Sequence, residues 1–173
     1  MNNVLSVPLE ASEEQFQRLL ELQAAVARAC NVLAPVVQQT RVWNRVALHH
    51  LMYRQLRASL PELGSQMACN AIYSVSRTCR ALFQNPQSPF HLSKLAERKL
   101  PLLRFADTCP VYFDRHTLSV KDGQVSMFTL DGRMRFALAL SADQIALFRS
   151  AKLREIVLSR PQSGRFVLTF QFG

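Results

Sequence analysis

The spacing of apolar residues changes period once along this chain, and that change limits its possible folds more than any other feature. Over residues 12–83 apolar side chains recur at helical intervals. Over residues 104–172 they alternate as in strands, with one helix among them. Between the two lies QNPQSPFHLSKLAERKLPLL, whose three prolines mark a connector holding one helical turn. A run of helices followed by a run of strands predicts an α+β fold.

The local signals fill in this outline. NVLSVPLE is the first strand, and Pro8 places it at an edge or at a strand end. Ser12 caps a helix with Gln15 three residues on. Phe16, Leu19, Leu20, Gln23, Ala27 and Cys30 form its buried face, and Pro35 ends or kinks it. A second helix runs through VWNRVALHHLMYRQLRASL. Val46, Ala47, His50, Leu51 and Arg54 share its apolar stripe, with Leu48, Met52, Gln55 and Leu56 beside them. A third, SQMACNAIYSVSRTCRALF, carries Met67, Ala71, Val75, Thr78 and Leu82 as its stripe.

SVKDGQVSMF and FTLDGRMRFAL each set an Asp-Gly between alternating residues, which predicts two hairpins. Ser141 caps a short helix, and REIVLSR and RFVLTFQF form a last hairpin around PQSG. In that final strand Phe166, Leu168 and Phe170 face one way and Val167, Thr169 and Gln171 the other. Six strands with one helix among them predict a small antiparallel β-barrel, closed or half-closed.

Composition narrows the partner. With 49% hydrophobic and 19% charged residues the chain is globular. Its 21 basic residues against 12 acidic ones give a formal charge of +9, which favours nucleic acid or an anionic surface. The N-terminus has no signal-peptide pattern, and no run reaches the roughly 18 apolar residues of a bilayer span. A cytoplasmic protein without a membrane partner is therefore expected. Cys30, Cys69, Cys79 and Cys109 include no CxxC pair and read as reduced thiols.

Catalytic signals are sparse. No DxD, ExxH, HExxH or GxSxG occurs, so no metal site, cofactor or catalytic residue is expected. His49 and His50 point about 100° apart on a helix and do not chelate one ion. His50, on the apolar stripe, reads as a core residue, and His49 as one that faces phosphate.

The basic pattern is more specific. Between residues 41 and 80 stand Arg41, Arg45, Arg54, Arg57, Arg77 and Arg80, with Glu62 the single acid. Arginine forks onto phosphate and stacks on bases. Trp43, Tyr53 and Tyr73 are interleaved as stacking platforms. Lys121, Arg133 and Arg135 cluster around the Asp-Gly hairpins, with Arg133 and Arg135 on one face. The plain alternative is a solvated helix surface with its aromatics in the core.

The order of these parts, from ARACNVLAPVV through the second and third helices to YFDRHTLSVKDGQVSMFTLDGRMRFAL, resembles the N-terminal half of the transposon-encoded TnpB proteins and their Cas12 relatives, the RNA-guided nucleases. The resemblance covers roughly residues 4–172. It implies a wedge domain, an OB-like antiparallel barrel, with a helical recognition domain inserted after its first strand. On that division residues 1–10 are the first barrel strand, 11–100 the helical insert and 101–173 the rest of the barrel.

In the family a strand such as RFVLTFQF leads into a RuvC nuclease domain. The resemblance thus implies the binding apparatus of such a nuclease without its catalytic domain, and no enzyme activity. It implies a structured guide-type RNA and duplex DNA as partners, with a separate RuvC-containing subunit for any cleavage. The duplex motif would be read by Trp43, Asn44 and Arg45 at the start of the second helix and by Ser65, Gln66, Cys69 and Asn70 at the start of the third. Asp114 and Arg115 would lie near the same site, and Arg54, Arg57, Arg77 and Arg80 would hold phosphates. The competing class is a basic protein-interaction or regulatory module whose charge is incidental.

Overall fold

Ser12 opens the first helix as its spacing from Gln15 requires. In the computed structural model, which describes residues 3–173, Ser12 N–H donates to Gln15 Oε1 at 2.9 Å and Gln15 N–H donates to Ser12 Oγ at 3.2 Å. Helix α1 spans Glu13–Thr40, with Glu13 and Glu14 at its positive N-terminal end. Pro35 sits inside it and does not end it. The proline forfeits one hydrogen bond, but Leu33, Ala34 and Val37 around it are buried and hold the helix together. By length and composition α1 could cross a membrane, with mean hydropathy 1.3 over its most apolar window. Core helices meet the same criterion, and 56% of that window is buried inside the fold.

The chain divides into two compact units. One comprises Ala25–Asp107; the other comprises the chain up to Ala24 together with Thr108–Gly173.

In the helical unit α2 spans Arg45–Ser59 and α3 spans Ser65–Cys79. A short 3₁₀ turn, Pro61–Leu63, and Gly64 at φ +76° reverse the chain between them, so the two helices pack antiparallel. A π-turn, Arg80–Gln84, extends α3, and a single turn, α4 (Leu92–Leu95), lies in the proline-rich connector. Met67, Ala71 and Val75 are buried as their spacing predicts, whereas Thr78 and Leu82 are half-buried. The stripe expected for α2 is displaced. Leu48, Met52 and Leu56 are buried, while Val46, Ala47, His50, Leu51 and Arg54 are exposed. Both sets have helical spacing, and only the first, at strict i, i+4 intervals, meets the core.

In the strand-rich unit β1 (Asn3–Pro8), β2 (Val111–Phe113), β6 (Leu153–Ser159) and β7 (Val167–Phe172) form one antiparallel sheet in the order β1-β7-β6-β2. The strand β7 is central. Leu168, Phe170 and Phe172 are buried on its core face, and Ser141 caps α5 (Ala142–Ser150), whose Phe148 meets Phe170 and Phe172 edge-on at 4.9 and 5.0 Å.

The strands β3 (Leu118–Lys121), β4 (Gln124–Thr129) and β5 (Gly132–Ala137) form a second, three-stranded antiparallel sheet. The expected barrel of six strands is therefore corrected to seven strands in two separate sheets among the described residues. Two local features lie where the chain leaves each sheet. Asp114 Oδ1 accepts from the N–H groups of His116 and Thr117, at 3.0 Å each, and turns the chain out of the first sheet directly after β2. After β5 comes α5 rather than a strand that would continue the sheet.

Candidate nucleic-acid interface

The antiparallel pair α2–α3 distributes the predicted residues between its two ends. The start of α2 lies beside the end of α3, where they line a cleft of about 750 Å³. The cleft gathers Arg41, Trp43, Asn44, Arg45, Tyr73 and Arg80. Ser65 and Gln66, both exposed, begin α3 at the opposite end. Since α3 has 15 residues, about 20 Å separates its two ends. The motif-reading group expected to act together at the starts of the second and third helices is thus split into two.

Each cleft residue is placed by local structure. Arg41 follows α1 with φ +57°, a left-handed backbone that reverses the chain toward α2. Its guanidinium donates to the Arg98 carbonyl at 2.5 Å. Asn44 caps α2, its Oδ1 accepting from the N–H groups of Val46 at 3.0 Å and Ala47 at 3.2 Å. Trp43 Nε1 donates to Gln84 Oε1 at 3.0 Å, and the indole packs on Phe83 with ring centroids 5.2 Å apart. Arg45 and Arg80 are exposed.

Elsewhere on the pair, His49 and Tyr53 are half-buried and stack at 4.6 Å with nearly parallel rings. One face of each ring is therefore occupied. Arg54 and Arg77 are exposed, and Arg57 is half-buried with Nη1 enclosed and without a hydrogen-bond partner among the described residues. Glu62, the lone acid of this stretch, lies 3.8 Å from Arg28 of α1, so its charge is offset. At the start of α3, Cys69 is half-buried, and Asn70 is buried with its amide nitrogen 3.6 Å from Met67 Sδ. Asn70 thus has little surface to offer a base edge.

In the strand-rich unit Asp114 is engaged in its turn, and Arg115 is exposed in the same turn. Register pairs Arg133 with Phe128 and Arg135 with Ser126, so these four share the outward face of the three-stranded sheet. Arg133 is fixed across it, Nε donating to Ser126 Oγ at 2.8 Å and Nη2 to Ser126 O at 3.0 Å. Arg135 and Lys121 are exposed. Phe128, half-exposed on this basic face, escaped the sequence reading; the alternation in QVSMFT, which sets it with Gln124 and Ser126, was the signal that would have found it. Gln84 was also missed, because nothing in the sequence announces that it holds the Trp43 indole.

Among the described residues no three His, Cys, Asp or Glu side chains lie together as metal ligands. Burial pushes the Cys79 thiol up to about 12, which leaves it protonated and inert. No family model matches the chain, and no curated protein matches it.

Proposed function

We propose that this chain is a non-catalytic nucleic-acid-binding protein, a component of a TnpB-like RNA-guided system that grips structured RNA and duplex DNA. The observation that carries the reading is the α2–α3 surface. Six arginines fall between residues 41 and 80, and the only acid there faces Arg28. A surface so free of negative charge, with Trp43 and Tyr73 beside its guanidiniums, suits phosphates and bases together.

In this reading the strand-rich unit is a wedge-type, OB-like domain whose sheets stay unclosed, and the helical unit following β1 is its recognition domain. Support comes from β1, which pairs with β7 along its length although the whole helical unit lies between them in sequence. Any cleavage belongs to a separate RuvC-containing subunit.

The test is binding to a structured RNA and to duplex DNA across a salt series. The logarithm of affinity should fall against that of salt concentration by about 0.9 per duplex phosphate contacted. Arg54→Ala should weaken binding without changing which sequence is preferred, since phosphate contacts carry little sequence information. Affinity independent of salt would sink the reading.

A second reading has its own observation. Val46 and Leu51 on α2 are 58% and 49% exposed, two separate apolar side chains about 140° apart around the helix that a protein partner would cover. Salt-independent recovery of a partner protein, lost in Leu51→Asp, would favour an interaction module.

A further inference from the structure

The cleft where α2 begins and α3 ends has a composition that selects its occupant. Its volume of about 750 Å³ lies in the range of small-ligand sites, roughly 300–1,000 Å³. Three arginines line it, and no carboxylate does. An indole and a phenol ring line it as well. We propose that it holds one unstacked nucleotide, with its base against Trp43 and its phosphate on Arg45 and Arg80. The inference rests on the nucleic-acid reading above and gives that surface a specific ligand unit.

Three features fit this occupant. First, the indole is fixed before any ligand arrives. Gln84 holds its Nε1 and Phe83 packs against the ring, so little freedom is lost when a base stacks on it. Second, Arg45 stands where the bare protein gains least from its charge, whereas Arg41 is already engaged by the Arg98 carbonyl and contributes through its backbone. Arg45 occupies the first turn of α2, which contains no acid, so its charge opposes the helix dipole. Arg41 holds a left-handed φ that costs a non-glycine residue energy. An anion in the cleft offsets the first cost and makes use of the chain reversal that the second produces. Third, one irregular turn serves both halves of the site. The π-turn Arg80–Gln84 carries a phosphate-binding arginine together with the two residues that support the indole. An acidic peptide would satisfy the arginines and leave the indole idle. A nucleotide uses both.

The nucleotide could belong to a strand or be free in solution, and the two sources separate experimentally. The chain has one tryptophan, so its emission reports on Trp43 alone. Three probes suffice: an RNA hairpin with a single-nucleotide bulge, the same hairpin fully paired, and adenosine monophosphate. Anisotropy of the labelled hairpins measures binding, and tryptophan emission measures occupancy of the cleft.

The bulged hairpin should quench the emission and the paired one should bind without quenching. Arg45→Gln and Arg80→Gln should each weaken the bulged hairpin about tenfold, because a lost charged hydrogen bond costs about that much, while neither lowers the thermal midpoint and Arg45→Gln raises it slightly by removing a cation from the N-terminal end of α2. Hairpins that bind equally and leave the emission unchanged would overturn the cleft and leave the nucleic-acid reading standing. Quenching by adenosine monophosphate without hairpin binding would keep the cleft as a free-nucleotide site and overturn the wider reading. No quenching and no binding would remove both.

Discussion

Asp122 and Asp131 each precede a glycine, and the two dipeptides act differently. At the β3–β4 turn Asp122 and Gly123 both have positive φ, +51° and +78°, the backbone of a type I′ hairpin. At the β4–β5 turn only Gly132 is left-handed, at φ +98°, and it already pairs with Thr129 as the first residue of β5. Asp122 has a second role, because its carboxylate accepts from Arg149 of α5. That hydrogen bond, followed by the charge of Arg149 itself, holds its carboxyl below the usual aspartate range. A depressed folded value gives stability that is present above the unfolded aspartate pKa of about 3.9 and lost as pH falls through the folded one. Asp122→Asn tolerates the same left-handed backbone, so it should flatten the acid limb of a urea-midpoint series while leaving the hairpin formed. Asn44→Ala should cost about 1 kcal/mol in urea unfolding, the usual value of an N-cap. The capping box at Ser12 and the cap at Ser141 were legible from a few residues each, because a cap depends only on its neighbours in sequence. The link from Asp122 to Arg149 was not, since it joins residues 27 positions apart.

Helix α2 carries two apolar stripes, and the sequence alone does not rank them. Val46, Ala47, His50 and Leu51 have the same periodicity as Leu48, Met52 and Leu56, and the side on which α3 packs decides between them. The decision has a measurable consequence. Leu48→Ala should destabilise the protein by about 2–5 kcal/mol, because it opens a cavity in a fully buried site. Leu51→Ala should fall within about 0.5 kcal/mol of wild type in the same urea titration. The reverse order would mean that the sequence-derived stripe faces the core after all. Pro35 illustrates the same limit. Its chemistry forbids one hydrogen bond, but whether a helix survives that loss depends on burial around it, which one sequence does not display.

For the whole molecule, the period change near residue 100 foretold helices then strands, and the last strand was read with its faces correctly assigned. Barrel closure was not legible, because closure depends on which strand edges meet, and alternation within each strand does not specify that. The candidate site was legible as a set of residue types and not as a place. Arginines and aromatics stand out in the sequence, but only the antiparallel course of α2 and α3 shows that Trp43 keeps company with Arg80 and not with Gln66. The central position of β7 bears on how this molecule comes into being. Ribosomes deliver a chain in order, and β7 is the last of the seven described strands to emerge. Until it does, β1 and β6 lack the neighbour that joins them, and β1 has no partner at all. The α2–α3 hairpin, whose contacts are close in sequence, needs no such wait. Synthesis thus leaves an early strand edge unsatisfied while the residues between β1 and β7 are made. Pro8, which has no N–H to donate, limits what that edge can attract in the interval.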